Sequence, residues 1–404
     1  CKHLPPSLAA WNLSQASLLV VLSRAGGEAP PPIYENKPPA PPGRHPASSC
    51  RCGAERMGRQ WVAVIVLVLC VRLDLHRGVT AGWDVTCLLV FGDSSVDPGN
   101  NNRLATGFKA NFPPYGRDFF HALPTGRFSN GRLPTDFIAE ALGVGMAIPA
   151  FLDPDLKPEQ LPRGASFASA SSGYDDLTAE LGKVLPFYKQ LEYLRHYKIH
   201  LKRSVGDQKG EEIVRNALFV VSAGTNDFIQ NYYFGSNRSR QFTEEEYENY
   251  LIACMMKDIK EMHAVGARRI AVVGVPALGC LPIVKTLEGL SVCYDKYNKA
   301  AESFNSKIRA QVVAINKSLG MRAAYVDVYG LLSDATKNPK KYGFTEAGKG
   351  CCGSGLIEFG ETCMRMNTCQ NPNEYVYWDA VHPSERMYRL LADEALAAVK
   401  KILT

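Results

Sequence analysis

What most constrains the fold of this chain is an alternation. Short apolar runs at residues 87–91, 218–223, 270–275 and 324–328 are separated by stretches of helical periodicity at 180–200, 243–265, 294–318 and 384–402. Apolar runs this short, closed by glycine or polar residues, have the length of strands buried on both faces. Thr243 and Glu246 form a capping box at the head of one helix, and Pro383 stands just before another. Strand and helix in succession predict an α/β fold, a mostly parallel sheet with helices on both faces. Right-handed crossovers reduce the layouts to a doubly wound, flavodoxin-like one. No internal repeat and no Pro/Ser-rich linker follows Gly82, so residues 82–404 are expected to form one domain.

The first eighty residues read differently. Residues 1–56 are Pro-rich and show no sustained apolar periodicity, so they are expected to be disordered and no part of the native protein. At Met57 the pattern changes: Arg59 supplies a positive charge, residues 61–71 are an unbroken apolar run, and Val79-Thr80-Ala81 are small residues. Residues 57–81 therefore read as a secretory signal peptide, cut near Ala81. The run is well short of the ~20 residues a membrane-crossing helix needs, so no stable membrane anchor is expected. The expected product is a soluble, exported protein of the extracellular space.

Charge and cysteine usage agree with export. Nine of the 46 Lys and Arg and four of the 40 Asp and Glu precede Gly82, which leaves 37 basic against 36 acidic residues beyond it. The basic excess belongs to the leader, and a nucleic-acid partner, which requires a basic footprint on the folded part, finds no support. With 46% apolar and 21% charged residues the chain has enough apolar material for a core, which excludes wholesale disorder. Eight cysteines follow Gly82: Cys87, Cys254, Cys280, Cys293, Cys351, Cys352, Cys363 and Cys369. Without zinc-ribbon spacing they point to disulfides, most economically Cys280 with Cys293 and bridges inside the 351–369 cluster; connectivity does not follow from sequence. Asn237-Arg238-Ser239 and Asn316-Lys317-Ser318 fit the glycan-acceptor pattern.

In a doubly wound sheet, ligands bind outside the carboxyl ends of the strands. The polar residues there are Gly92-Asp93-Ser94, Gly224-Thr225-Asn226-Asp227, and Asp379 to His382 after the apolar residues 375–378. Ser94 at a strand-to-loop corner needs a base. Of the histidines beyond Gly82 (His121, His196, His200, His263 and His382), only His382 has a carboxylate three residues before it on a loop. That spacing brings Asp379 to one imidazole nitrogen while the other faces Ser94, as a serine triad requires. Asn226 offers a side-chain N–H to a developing oxyanion, and Gly173 a backbone N–H free of steric obstruction.

Each element alone is ambiguous, since Gly-Asp-Ser is a common turn and Asn226 is equally a turn or cap residue. Competing signals are weaker. Gly164-Ala165-Ser166-Phe167-Ala168 lacks the last glycine of a nucleophile elbow. Glu192, His196 and His200 share a helix face but lack the glutamate between histidines that metalloproteases use, so a solvated face is favoured. Gly143-Val144-Gly145 reads as a loop. Tyr232, Tyr233 and Phe234 fit a pocket wall and a core equally.

Together, Phe91-Gly92-Asp93-Ser94, Gly224-Thr225-Asn226-Asp227 and Asp379-Ala380-Val381-His382-Pro383 resemble the GDSL-type (SGNH) serine esterases and lipases, specifically their large secreted plant branch. Supporting stretches are Ser95-Val96-Asp97-Pro98-Gly99-Asn100-Asn101, Gly164-Ala165-Ser166-Phe167-Ala168-Ser169, Pro276-Ala277-Leu278-Gly279-Cys280, Gly350-Cys351-Cys352-Gly353 and Asn371-Pro372-Asn373-Glu374-Tyr375. The resemblance implies Ser94 as nucleophile and first oxyanion N–H, His382 as general base and acid, Asp379 as its orienting partner and Asn226 as side-chain oxyanion donor. It implies no metal and no organic cofactor. The chain departs from the pattern twice. Ser171 stands where many relatives have glycine; Gly173 is the expected oxyanion glycine, and if the family's donor aligns with Ser171 instead, its backbone N–H remains available but crowded by a hydroxymethyl group. Ser95 replaces the leucine of the motif. The expected activity is hydrolysis of carboxylic esters through an acyl-serine. Acyl transfer by the same triad, or a non-catalytic extracellular binding protein, are the alternatives.

Overall fold

A computed structural model describes residues 85–235 and 238–403. The expectations for residues 1–56 and 57–81, and the acceptor Asn237, lie outside the described residues.

The apolar runs become strands β1 (Leu88–Gly92), β3 (Leu218–Ser222), β4 (Arg269–Val273) and β5 (Arg322–Val326). A short strand absent from the sequence reading, β2 (Gly164–Ser166), joins them. All pair in parallel in the order β2-β1-β3-β4-β5, the flavodoxin-like layout expected. Three residues beginning with glycine carry too little apolar pattern for β2 to be seen in advance. Its Ser166 is fully buried and donates its hydroxyl to the Val96 carbonyl, which removes it as a nucleophile.

Alternation along the strands divides the core. Phe91 and Phe219 stack on the face that also carries Phe187 of the Phe187–Val205 helix, and the Glu244–Val265 and Asp295–Ser318 helices continue that layer. The opposite face is covered by the Pro134–Ala141 and Glu385–Leu403 helices, which pack on each other. The Thr243 capping box forms as expected, Thr243 N–H donating to Glu246 at 2.8 Å. The helix expected over 180–200 is instead two, Asp176–Gly182 and Phe187–Val205. Lys183 ends the first in the left-handed region and Pro186 caps the second, because a residue before proline is driven out of helical conformation. Among the described residues no helix is long and apolar enough to cross a membrane.

Beyond β5 the chain builds a satellite core. Strands β6 (Glu346–Gly350) and β7 (Tyr375–Tyr377) pair beside the disulfides Cys351–Cys369 and Cys352–Cys363, and Tyr115, Phe128 and Trp378 pack around these bridges. Cys280 pairs with Cys293. Cys87 departs from the expected pairing. It is a buried free thiol beside Tyr197, held by burial at a pKa of about 12 and so protonated and inert. Asn316 also has a structural use: its amide donates to Val312 and Ala323 carbonyls and accepts from Ala323 N–H, bonds a glycan would have to break.

Gly92 ends β1 with φ at +139°, and a Cβ there would overlap the Ser222 carbonyl of β3. Only glycine lets the chain turn here while β1 and β3 stay in register. Gly92→Ala is expected to cost at least ~2 kcal/mol, read from chemical denaturation.

Candidate active site

Ser94 lies two residues past β1 and Asn226 four past β3, so both leave the sheet at the β1/β3 boundary where the strand order reverses. Gln190, fully buried on the Phe187–Val205 helix, holds the corner. Its amide accepts from Gly92 N–H and donates to Gly92 C=O, both at 2.9 Å. Asp93 accepts from the backbone and hydroxyl of Ser95, whose hydroxyl also meets Ser222. The serine that replaces the motif leucine thus ties the β1 corner to the end of β3.

His382 reaches Ser94 from the far end of the chain. Its Nε2 lies 2.9 Å from Ser94 Oγ, and its Nδ1 lies 2.8 and 2.9 Å from the two oxygens of Asp379. Asp379 is fully buried yet well supplied with donors: the N–H groups of Val381 and His382 reach Oδ1, and the Tyr115 hydroxyl reaches Oδ2 at 2.7 Å. Such bonds stabilise the charged carboxylate. Burial, and then the charge of Asp379, hold the Tyr115 phenol well above its ordinary pKa, so it remains a donor; its oxygen accepts from Gly360 N–H. Phe128 packs on the imidazole with ring centroids 4.7 Å apart. The disulfide-bonded Cys351 and Cys352 both donate their N–H to the Trp378 carbonyl, one residue before Asp379.

Residues 168–173 form the third wall. Asp97 accepts from Ala170 N–H, Asn100 donates to Ser166 and Ala168, and Asn101 donates to Ala170. Burial raises Asp97 to a pKa of about 6, which leaves it a carboxylate at neutral pH. Gly173, expected as the oxyanion glycine, and Ser171 stand in different surroundings here. Gly173 is not among the residues lining the cavity beside Ser94; its Cα packs on the Asp227 carboxylate, where a Cβ would overlap. Ser171 lines that cavity with Ser94, Asn226 and His382, and takes the positive φ of +70° usually left to glycine. Among the described residues neither Ser94 N–H nor Ser171 N–H has an acceptor within the protein. Asn226 donates one side-chain N–H to the Ser172 carbonyl at 2.9 Å and accepts from Gln230.

The other sequence candidates separate from this cluster. Glu192 pairs with Lys189, and His196 and His200 are exposed. Among the described residues no group of three or more His, Cys, Asp or Glu side chains is placed to hold a metal ion. Tyr233 stacks on Tyr297 and Tyr232 is buried, whereas Phe234 joins the cavity wall. Tyr115, Gln190 and Gln230 escaped sequence reasoning. Their hydrogen bonds run 264, 98 and 4 residues along the chain, and only the last has a spacing that sequence could have flagged.

The model of the GDSL-like lipase/acylhydrolase family matches residues 88–395. The chain belongs to that family. One GDSL esterase/lipase of Arabidopsis thaliana is 49% identical over 342 residues, 84% of this chain and 96% of the relative. Another, designated APG, is 44% identical over 316 residues, 76% of this chain and 89% of its own length. As a family member the chain is a serine hydrolase of carboxylic esters, and neither alternative, acyl transfer nor mere binding, is favoured.

Tyr115→Phe removes the donor to Asp379 and leaves Gly360 N–H without its acceptor. We expect a loss of ~1–3 kcal/mol in stability together with roughly tenfold lower kcat/KM on a short-chain chromogenic ester, read by thermal melts and initial rates.

Proposed function

We propose that ester hydrolysis in this protein passes through an acyl-Ser94 intermediate and that the protein works outside the cell. The observation that carries the mechanism is the imidazole of His382 lying between Ser94 Oγ and the Asp379 carboxylate. His382 takes the hydroxyl proton as Ser94 attacks the ester carbonyl, Asp379 stabilises the resulting imidazolium, and His382 returns the proton to the departing alcohol. Water repeats the sequence and frees the acid. The tetrahedral oxyanion is received by the N–H groups of Ser94 and Ser171 and by the second side-chain N–H of Asn226. Every proton transfer has an owner among these side chains, so the chemistry calls for no metal or organic cofactor.

Two features support the wider reading. The three bridges among the described residues suit an oxidising compartment, with residues 57–81 as the export signal and Gly82 near the mature start. An apolar cavity opens at Ser94 and His382 and runs between the sheet and the Glu385–Leu403 helix, lined by Val220, Ala271, Val326, Leu391, Ala395 and Val399. We assign it to the acyl chain, because aliphatic side chains make up most of its lining.

Ser94→Ala is expected to lower turnover of a short-chain chromogenic ester by at least about four orders of magnitude without moving the unfolding transition. A phosphonate ester should add one adduct, on the peptide that carries Ser94. A label elsewhere, or rates equal to the parent, overturns the mechanism. Ala395→Phe should fill the inner part of the acyl cavity and cut kcat/KM for long acyl chains at least ~10-fold relative to acetate. An unchanged chain-length profile would place the acyl group elsewhere.

A further inference from the structure

Asn226 presents an oxyanion donor only if its amide is held in one plane and one orientation. The residues that hold it form a chain of donors. Ser171 Oγ–H donates to Gln230 Oε1 at 2.8 Å, Gln230 Nε2–H donates to Asn226 Oδ1 at 2.8 Å, and Asn226 Nδ2–H donates to the Ser172 carbonyl at 2.9 Å. Asn226 Oδ1 can only accept, so it selects the nitrogen end of Gln230. The oxygen end then turns to Ser171, whose hydroxyl supplies the proton.

The surroundings are built for this arrangement. Gln230 sits four residues after Asn226 in the π-helical turn Asp227–Phe234, which follows directly from Asn226. Ser171 holds a left-handed conformation that a non-glycine residue rarely adopts, and Gly182 leaves room for it: a Cβ at Gly182 would press on Ser171 Oγ. The serine that departs from the family pattern therefore commits its hydroxyl to the amide chain.

We infer that Gln230 is a positioning residue for the oxyanion site, acting through Asn226 and anchored by the Ser171 hydroxyl; the inference rests on the acyl-Ser94 reading above. With Oδ1 held by Gln230 and one N–H held by the Ser172 carbonyl, the planar amide has its remaining N–H fixed in direction. Donation into Oδ1 also polarises the amide and strengthens that N–H as a donor. The contribution falls on the transition state and leaves ground-state binding alone.

The test compares the parent protein, Gln230→Glu, Asn226→Ala and the double variant on p-nitrophenyl acetate, with melting curves to confirm folding. Gln230→Glu keeps the shape but sets a carboxylate oxygen against Asn226 Oδ1. It should lower kcat about tenfold with KM within about twofold, and Asn226→Ala should lower kcat about 100- to 1,000-fold. In the Asn226→Ala background Gln230→Glu should have no further effect. The ratio of Gln230→Glu to parent kcat should rise as pH falls through the ordinary carboxyl range, because the protonated acid donates again. Ser171→Ala, which keeps the backbone conformation and loses only the hydroxyl, should lower kcat about threefold and add nothing to Gln230→Glu. Parent-like kcat in Gln230→Glu beside an impaired Asn226→Ala overturns the positioning role alone, as does an equal loss in both backgrounds. Full kcat in Asn226→Ala overturns the oxyanion reading beneath it.

Discussion

The hydrogen bond between His382 and Ser94 joins residues 288 positions apart, and no local propensity in either segment creates it. Closing a loop of that length is costly in chain entropy, and a 2.9 Å contact between two side chains returns only ~1 kcal/mol. The contact therefore depends on two rigid bodies that meet for other reasons. One is the parallel sheet, whose β1 and β3 ends fix Ser94 and Asn226. The other is the disulfide-linked satellite core, whose Cys351 and Cys352 amides grip the Trp378 carbonyl and whose Tyr115 grips Asp379. The Glu385–Leu403 helix, packed under β4 and β5, begins three residues beyond His382 and locks the second body to the first.

This division explains where the buried polar groups lie. Asp379, Asp97 and Asp227 are all sequestered, and each accepts several N–H or O–H donors that offset the loss of water. Each sits under a different wall of the site: Asp379 under the imidazole, Asp97 under residues 168–171, Asp227 between the start of the π-helical turn and Tyr174. Burial pushes Asp227 up to a pKa of about 8, against the three donors from Tyr174, Asp175 and Thr178 that favour its charged form. A hydrogen-bonded carboxylate and its protonated form both hold Tyr174 N–H, so the wall stays in place in either state.

The sheet order and most helices were legible because periodicity records burial, and burial is what these elements have in common. That Ser94, Asn226, Asp379 and His382 come together could be anticipated for another reason: strand ends of a doubly wound sheet converge, so polar residues after apolar runs are brought together by topology. What the sequence hid depended on backbone conformation or on one partner. The break at Pro186 lay inside an otherwise helical pattern. Cys87 looked like a bridge member until its surroundings placed it against Tyr197. Gly173 was chosen over Ser171 on the rule that glycine marks an exposed N–H, but φ depends on the loop's anchors. Asp97, Asn100 and Asn101 hold the backbone at residues 166, 168 and 170, just before the left-handed turn at Ser171, and at Gly173 the Asp227 carboxyl leaves no space for a Cβ.

The charge balance around Ser94 favours the direction of hydrolysis. The cavities that meet at Ser94 are walled mostly by apolar side chains, with Asp93, Asn226, His382 and several uncharged polar residues among them, and no Lys or Arg is among the described residues that line them. A neutral ester enters such a site without losing ionic hydration. On the proposed mechanism the oxyanion is received by N–H dipoles alone, which suit a charge held briefly in one place. The product acid, once ionised, would leave a full charge in an apolar cavity beside the buried Asp93, an unfavourable position that water relieves. On the mechanism proposed above, with no cation among the described residues lining the cavity to retain a carboxylate, the same walls that admit the ester favour departure of the acid once the acyl-enzyme is hydrolysed.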